Sequence, residues 1–124
     1  MGYEYTDLPD GNRNRIGQLE LNMRRKAEAI QRDYDVIERN GFSGLKDDEL
    51  KVMIYTTGGR LLKLGDMATE YGMLEDRIPE LFSTADHLGN SFINKITAEL
   101  FCREVSGRSI KAYNVEELRP IKSN

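Results

Sequence analysis

The sequence predicts an all-α fold, on two observations. Apolar residues recur at steps of three and four from Ile16 to Leu100, which is the spacing of a helical face and not the alternation of a strand. The periodic stretches are three, over residues 12–40, 46–72 and 78–105, with short connections between them. Nearly equal lengths, each worth roughly 40 Å of helix at about 1.5 Å per residue, favour an up-down-up antiparallel bundle. A more globular arrangement of about five helices follows if Gly58-Gly59 and Gly89 are breaks.

In the first stretch, Ile16, Leu19, Met23, Ala27, Ile30, Tyr34 and Ile37 form the apolar stripe. Val36 and Ala29 widen it, and Leu21 sits off it. The stretch contains no proline, and Asn40-Gly41 is a C-cap signal. Glu20/Arg24, Glu28/Arg32 and Asp35/Arg39 are acid-then-base pairs four residues apart, the favourable order.

The second stretch opens with Asp47, Asp48 and Glu49, acids suited to the positive end of a helix dipole. Leu50, Ile54, Thr57, Leu61, Leu64, Ala68 and Tyr71 continue in phase across Gly58-Gly59, and Gly72 reads as the C-cap. In the third stretch Asp76 reads as an N-cap with Pro79 in the first turn, where a missing N–H does no harm. Leu81, Ala85, Leu88, Phe92, Ile96 and Leu100 form its stripe, broadened by Phe82, Ile93 and Phe101. Residues 1–11 read as an N-terminal arm. Residues 106–124 read as a tail in which Ser109 to Val115 alternates like one short strand, with Tyr3-Glu4-Tyr5 or another chain as a possible neighbour.

The 124 residues fit a single domain. Eighteen basic against 21 acidic side chains leave a net charge of −3, which argues against a general attraction to nucleic acid or anionic lipid. No apolar run is long enough for a membrane helix, and MGYEYTDLPDGNRNR lacks a basic-then-apolar signal segment. One cysteine and one histidine exclude an internal disulfide and a multi-cysteine zinc site. The expectation is a cytoplasmic protein without metal or other cofactor.

Several patterns invite a chemical reading. Met67-Ala68, Gly72, Ile78 and Leu81 have the spacing of a helix-turn-helix. The surrounding stretch, however, carries Asp66, Glu70, Glu75, Asp76, Glu80 and Asp86 against Arg77 alone, and a DNA-facing surface should be basic. Arg25, Arg32 and Arg39 lie seven apart on one line of the first helix, a candidate stripe for phosphate, RNA or an acidic protein. A solvated helix face is the simpler account, since Arg32 and Arg39 each have an acid four residues earlier and no aromatic residues for base stacking accompany the stripe. Thr56-Thr57-Gly58-Gly59-Arg60 lacks phosphate-loop spacing; its glycines and Arg60 could nest an anion, but a helix break or a close helix crossing is the simpler reading, because glycine allows both. Asp35/Glu38 and Asp7/Asp10 are too few for paired-carboxylate magnesium chemistry. His87 and Cys102 are about four helical turns apart, too far for a nucleophile pair on a straight helix, and Cys102 reads as a small core residue beside Phe101. Met1-Gly2 through Thr6 matches an acylation pattern formally, in a poor context.

The class best supported is a non-enzymatic module that binds protein, self-association included. Leu21, Val36, Val52, Leu62, Leu74 and Ile93 fall partly outside the core stripes, and surplus apolar residues are what an interface uses. The tail residues Ile110, Tyr113 and Val115 are expected to add contacts. A nucleic-acid-binding regulator is the second reading, and an anionic ligand held between protomers is the third.

Overall fold

The structure is a computed structural model; it describes the backbone of residues 9–116 and the side chains of 13–107. The chain is all-α. Helix α1 spans Pro9–Asn40, α2 spans Asp47–Glu75 and α3 spans Glu80–Glu116, and each packs on the other two. No strand occurs among the described residues.

The ends of the helices follow from local chemistry. Gly41 closes α1 at φ 71°, a conformation glycine adopts without steric cost, and its N–H donates to the Ile37 carbonyl at 2.7 Å. Before α2, the Lys46 backbone N–H donates to Glu49 Oε1 at 2.7 Å, so the acid of the first turn is also a cap. Helix α2 runs past Gly72 to Glu75. Asp76, expected as an N-cap for the third helix, instead caps α2 in the left-handed region at φ 57°, with its N–H on the Gly72 carbonyl at 2.8 Å. Asp is among the few residues besides glycine that tolerate this conformation. Pro79 disfavours helix at Ile78, so α3 starts at Glu80, later than the expected residue 78.

Both candidate breaks are absent. Helix α2 passes straight through Gly58-Gly59, and α3 through Gly89. Gly89 has a packing reason instead: a Cβ built there would lie 2.6 Å from Leu61 Cδ2. The missing side chain lets Leu61 sit against the α3 backbone. The strand expected over 109–115 is also absent, because α3 continues to Glu116. An isolated strand has no hydrogen-bonding partner, whereas a helix satisfies its backbone internally. Residues 1–8 and 117–124, including Tyr3-Glu4-Tyr5, lie outside the described residues.

The core is the three stripes meeting. One cluster joins Leu19, Met23 and Ile30 with Leu64, Ala68, Tyr71 and Ala85. The other joins Ile37, Leu50, Phe92 and Ile96, with the Tyr34 ring edge-on to Phe92 at 5.6 Å between centroids. Thr57 is fully buried on the α2 stripe, and its hydroxyl has no hydrogen-bond partner. Cys102 and Phe101, expected inside, are exposed. The broad apolar stripe of the third segment therefore overstates what the bundle covers.

Candidate interaction surface

Helix α2 carries a second apolar line that no other helix covers among the described residues. Val52, Tyr55, Leu62 and Met73 are 60%, 81%, 74% and 79% exposed. At about 100° per residue they fall on one side of the helix, nearly opposite Leu50, Thr57, Leu64, Ala68 and Tyr71. Gly59 lies on that outer side, with Gly58 at its edge. A Cβ at either glycine would meet nothing within 4 Å, and neither has a positive φ. The pair is therefore neither a bend nor an anion nest, and no neighbour among the described residues requires it.

Polar stitching surrounds the core on the other sides of α2. Arg15 forks onto Glu70, with Nε on Oε2 at 2.5 Å and Nη2 on Oε1 at 2.6 Å, tying α1 to α2. These hydrogen bonds hold the Glu70 carboxyl below the usual carboxylate range. Arg60, read as an anion ligand, donates to Asp33 at 2.8 Å and is committed to the same helix pair. At one end of the bundle Tyr71 donates to Glu20 at 3.2 Å and accepts from Arg77 at 2.7 Å, with the guanidinium also over its ring. Burial, seconded by the Glu20 hydrogen bond, pushes the Tyr71 hydroxyl pKa up.

At the other end Arg103 gathers four acceptors: the Phe42 and Leu45 carbonyls, Asp47 and Glu99. It fastens the α1–α2 connection to α3. Sequence reasoning missed it, and its only advance signal was a favourable acid at position 99, four residues earlier. Lys95 bonds Glu38, which lowers the pKa of Glu38 and raises its own. Glu38 is thereby spent on an ion pair, and Asp35 accepts from Gln31 at 2.9 Å, so the Asp35/Glu38 pair serves packing and surface order.

Arg25, Arg32 and Arg39 are all exposed, and none forms an ion pair among the described residues. The expected four-apart pairs of α1 are not made. Glu20 turns to Tyr71 and Asp35 to Gln31. Arg25 helps line an open groove of about 460 Å³ between α1 and α2, with Asn22, Lys26, Lys63, Asp66 and Met67. Arg32 and Arg39 lie outside it. The backbone of Ile110, Tyr113 and Val115 is in the last turns of α3, and their side chains lie outside the described residues. The helix-turn-helix residues do not form a crossed pair of short helices. They lie at the end of one long helix, Asp47–Glu75, and the start of another, Glu80–Glu116, which also touch at Leu61 and Gly89 and at Asp47 and Arg103.

No helix among the described residues is long and apolar enough to cross a membrane. The chain matches no family model, no curated protein and no solved structure.

Proposed function

We propose that the chain is a non-enzymatic, cytoplasmic protein-binding module whose binding face is the outer side of α2, within a single up-down-up antiparallel bundle. The order of the cross-helix pairs supports the bundle. Arg15 and Glu20, early in α1, meet Glu70 and Tyr71 late in α2, whereas Asp33, farther along α1, meets Arg60 earlier in α2, the order expected of antiparallel neighbours. The observation that carries the function is the outward row of Tyr55, Leu62 and Met73, each more than 70% exposed. A monomer gains nothing by keeping large side chains aligned in water, whereas apolar and aromatic anchors of this kind form the centres of interfaces.

Nucleic acid is the weaker reading. The groove at Arg25, Lys26 and Lys63 is basic but holds Asp66 and no aromatic residue. The test is affinity capture on the full chain with Tyr55→Ala/Leu62→Asp as the control. A partner retained by the wild type and lost from the double variant supports the reading. An identical set of bound proteins would overturn it.

A further inference from the structure

We propose that the occupant of the α2 outer face is a second copy of this chain, packed antiparallel about a two-fold axis between Gly58 and Gly59. The inference rests on the reading of α2 as the binding face and adds the identity of the partner and its register. The outer side of α2 presents Asp48, Lys51, Tyr55, Gly58-Gly59, Leu62, Asp66, Thr69 and Met73 at steps of three and four. That line is self-complementary about the glycine pair. Tyr55 and Leu62 are equidistant from its midpoint, so an antiparallel copy sets each ring on the other copy's leucine. Lys51 and Asp66 are likewise equidistant, which places an ammonium opposite a carboxylate on both sides of the axis. Asp48 then faces Thr69, and no like charges face each other.

The charges are available for this use. Lys51 and Asp66 are exposed, and neither forms an ion pair among the described residues; Asp66 also stands at the edge of the α1–α2 groove beside Lys63, from which its carboxylate can turn outward. The glycines then acquire the reason that the single chain does not supply. An isologous antiparallel contact brings the two backbones nearest at its axis, and side chains there would hold them apart. The space above Gly58 and Gly59 is open in the monomer, as an approach path must be. The area is of the right order. Val52, Tyr55 and Leu62 together expose roughly 400 Å² per copy, and the stems of Lys51 and Asp66 add to a patch about half or more of the ~800 Å² per partner of a standard interface, with Met73 beyond the end of the partner helix.

The test is sedimentation equilibrium of the full chain from low to high micromolar concentration, with circular dichroism to check that each variant stays helical. The wild type should dimerise reversibly. Lys51→Asp places carboxylates opposite each other twice and should weaken the dimer by about tenfold or more. Asp66→Lys should do the same, and the doubly swapped Lys51→Asp/Asp66→Lys protein should recover to within about threefold of the wild type. That rescue identifies the register, because no single-chain effect restores it. A wild type that stays monomeric throughout overturns the self-pairing, while affinity capture still judges the α2 face as a binding surface for another protein. A dimer indifferent to Lys51→Asp and to Leu62→Asp overturns it too, since self-association would then lie elsewhere. A dimer weakened by each single swap and not rescued by the pair overturns the proposed register.

Discussion

On the inner side of α2, Leu50, Leu64, Ala68 and Tyr71 are covered by α1 and α3; on the outer side Val52, Tyr55, Leu62 and Met73 stand in water. Both lines are apolar and both keep helical spacing. Periodicity therefore reports where apolar groups lie and not what covers them. A helix with one apolar line is explained by its own fold, and the second line asks for something outside it.

The largest expected effect separates the two lines directly. Leu64→Ala removes a fully buried side chain and should cost about 2–5 kcal/mol of stability. Leu62→Ala, two residues away but 74% exposed, should stay within about 0.5 kcal/mol when unfolding is followed by urea at low protein concentration. Equal losses would show that the outer line is covered within the single chain and would erase the contrast.

Glycines sharpen the same comparison. Gly89 faces inward, and a methyl group there would press on Leu61. Gly89→Ala should therefore destabilise by about 1–3 kcal/mol through overpacking, less the helix-propensity gain, and Leu61→Ala should relieve the clash. Gly58→Ala and Gly59→Ala face open space, and each should stabilise the folded chain by about 1 kcal/mol. If the two-fold contact forms as proposed, the same pair of changes weakens self-association. A variant more stable and less associated than the wild type is an outcome that a purely internal role for these glycines cannot produce.

Much of this fold was legible in the sequence. Every residue of the three stripes lies buried or half-buried, from Ile16 to Leu100. Such stripes are set by geometry local to each helix, which a single sequence carries. What was not legible depends on distance between segments. Gly58-Gly59 and Gly89 look alike as weak helix formers, and only the position of Leu61 tells them apart. Asp76 fits either end of a helix, and the choice lay with Pro79 beyond it. Arg60 reads as free until Asp33 is placed beside it. The outer face was half visible: Val52 and Leu62 fell off the stripe, but Leu74 and Ile93 fell off it too and are half-buried. Tyr55 and Met73 carry no signal singly, because an isolated off-stripe residue means little until its neighbours along the face are counted with it.

Thr57 is the one polar residue among the buried positions of the inner line, and its hydroxyl is unpaired. A buried hydroxyl without a partner loses its hydration and gains nothing in return. Thr57→Val keeps the shape and removes the cost, so stability should rise by about 1 kcal/mol, read as a higher urea midpoint at unchanged slope. A loss of stability would show that the hydroxyl has a partner in solution, such as a buried water.

The smallest effect lies along the seams between the two faces. The Glu70 and Glu38 carboxyls are held below their usual range by hydrogen bonds from Arg15 and Lys95. A carboxyl whose folded pKa lies below its unfolded value binds fewer protons in the folded state. It contributes stability above the unfolded pKa and loses it as pH falls through the folded one. The chain should therefore keep these contributions at neutral pH and lose them from about pH 4 downward. Lys95 has the opposite sign: its pKa is raised, so its share is lost only as the solution becomes strongly alkaline. Both side chains of each pair are partly exposed, so the amplitude is modest and shrinks with added salt. Glu70→Gln isolates one seam. It should lower stability slightly at pH 7 and flatten the acid limb, so that variant and wild type converge once the pH has fallen below the folded pKa of Glu70. Parallel curves for the two proteins across that range would mean that Arg15 and Glu70 do not pair in solution, and would leave the Tyr71–Glu20 hydrogen bond as the polar link between α1 and that end of α2.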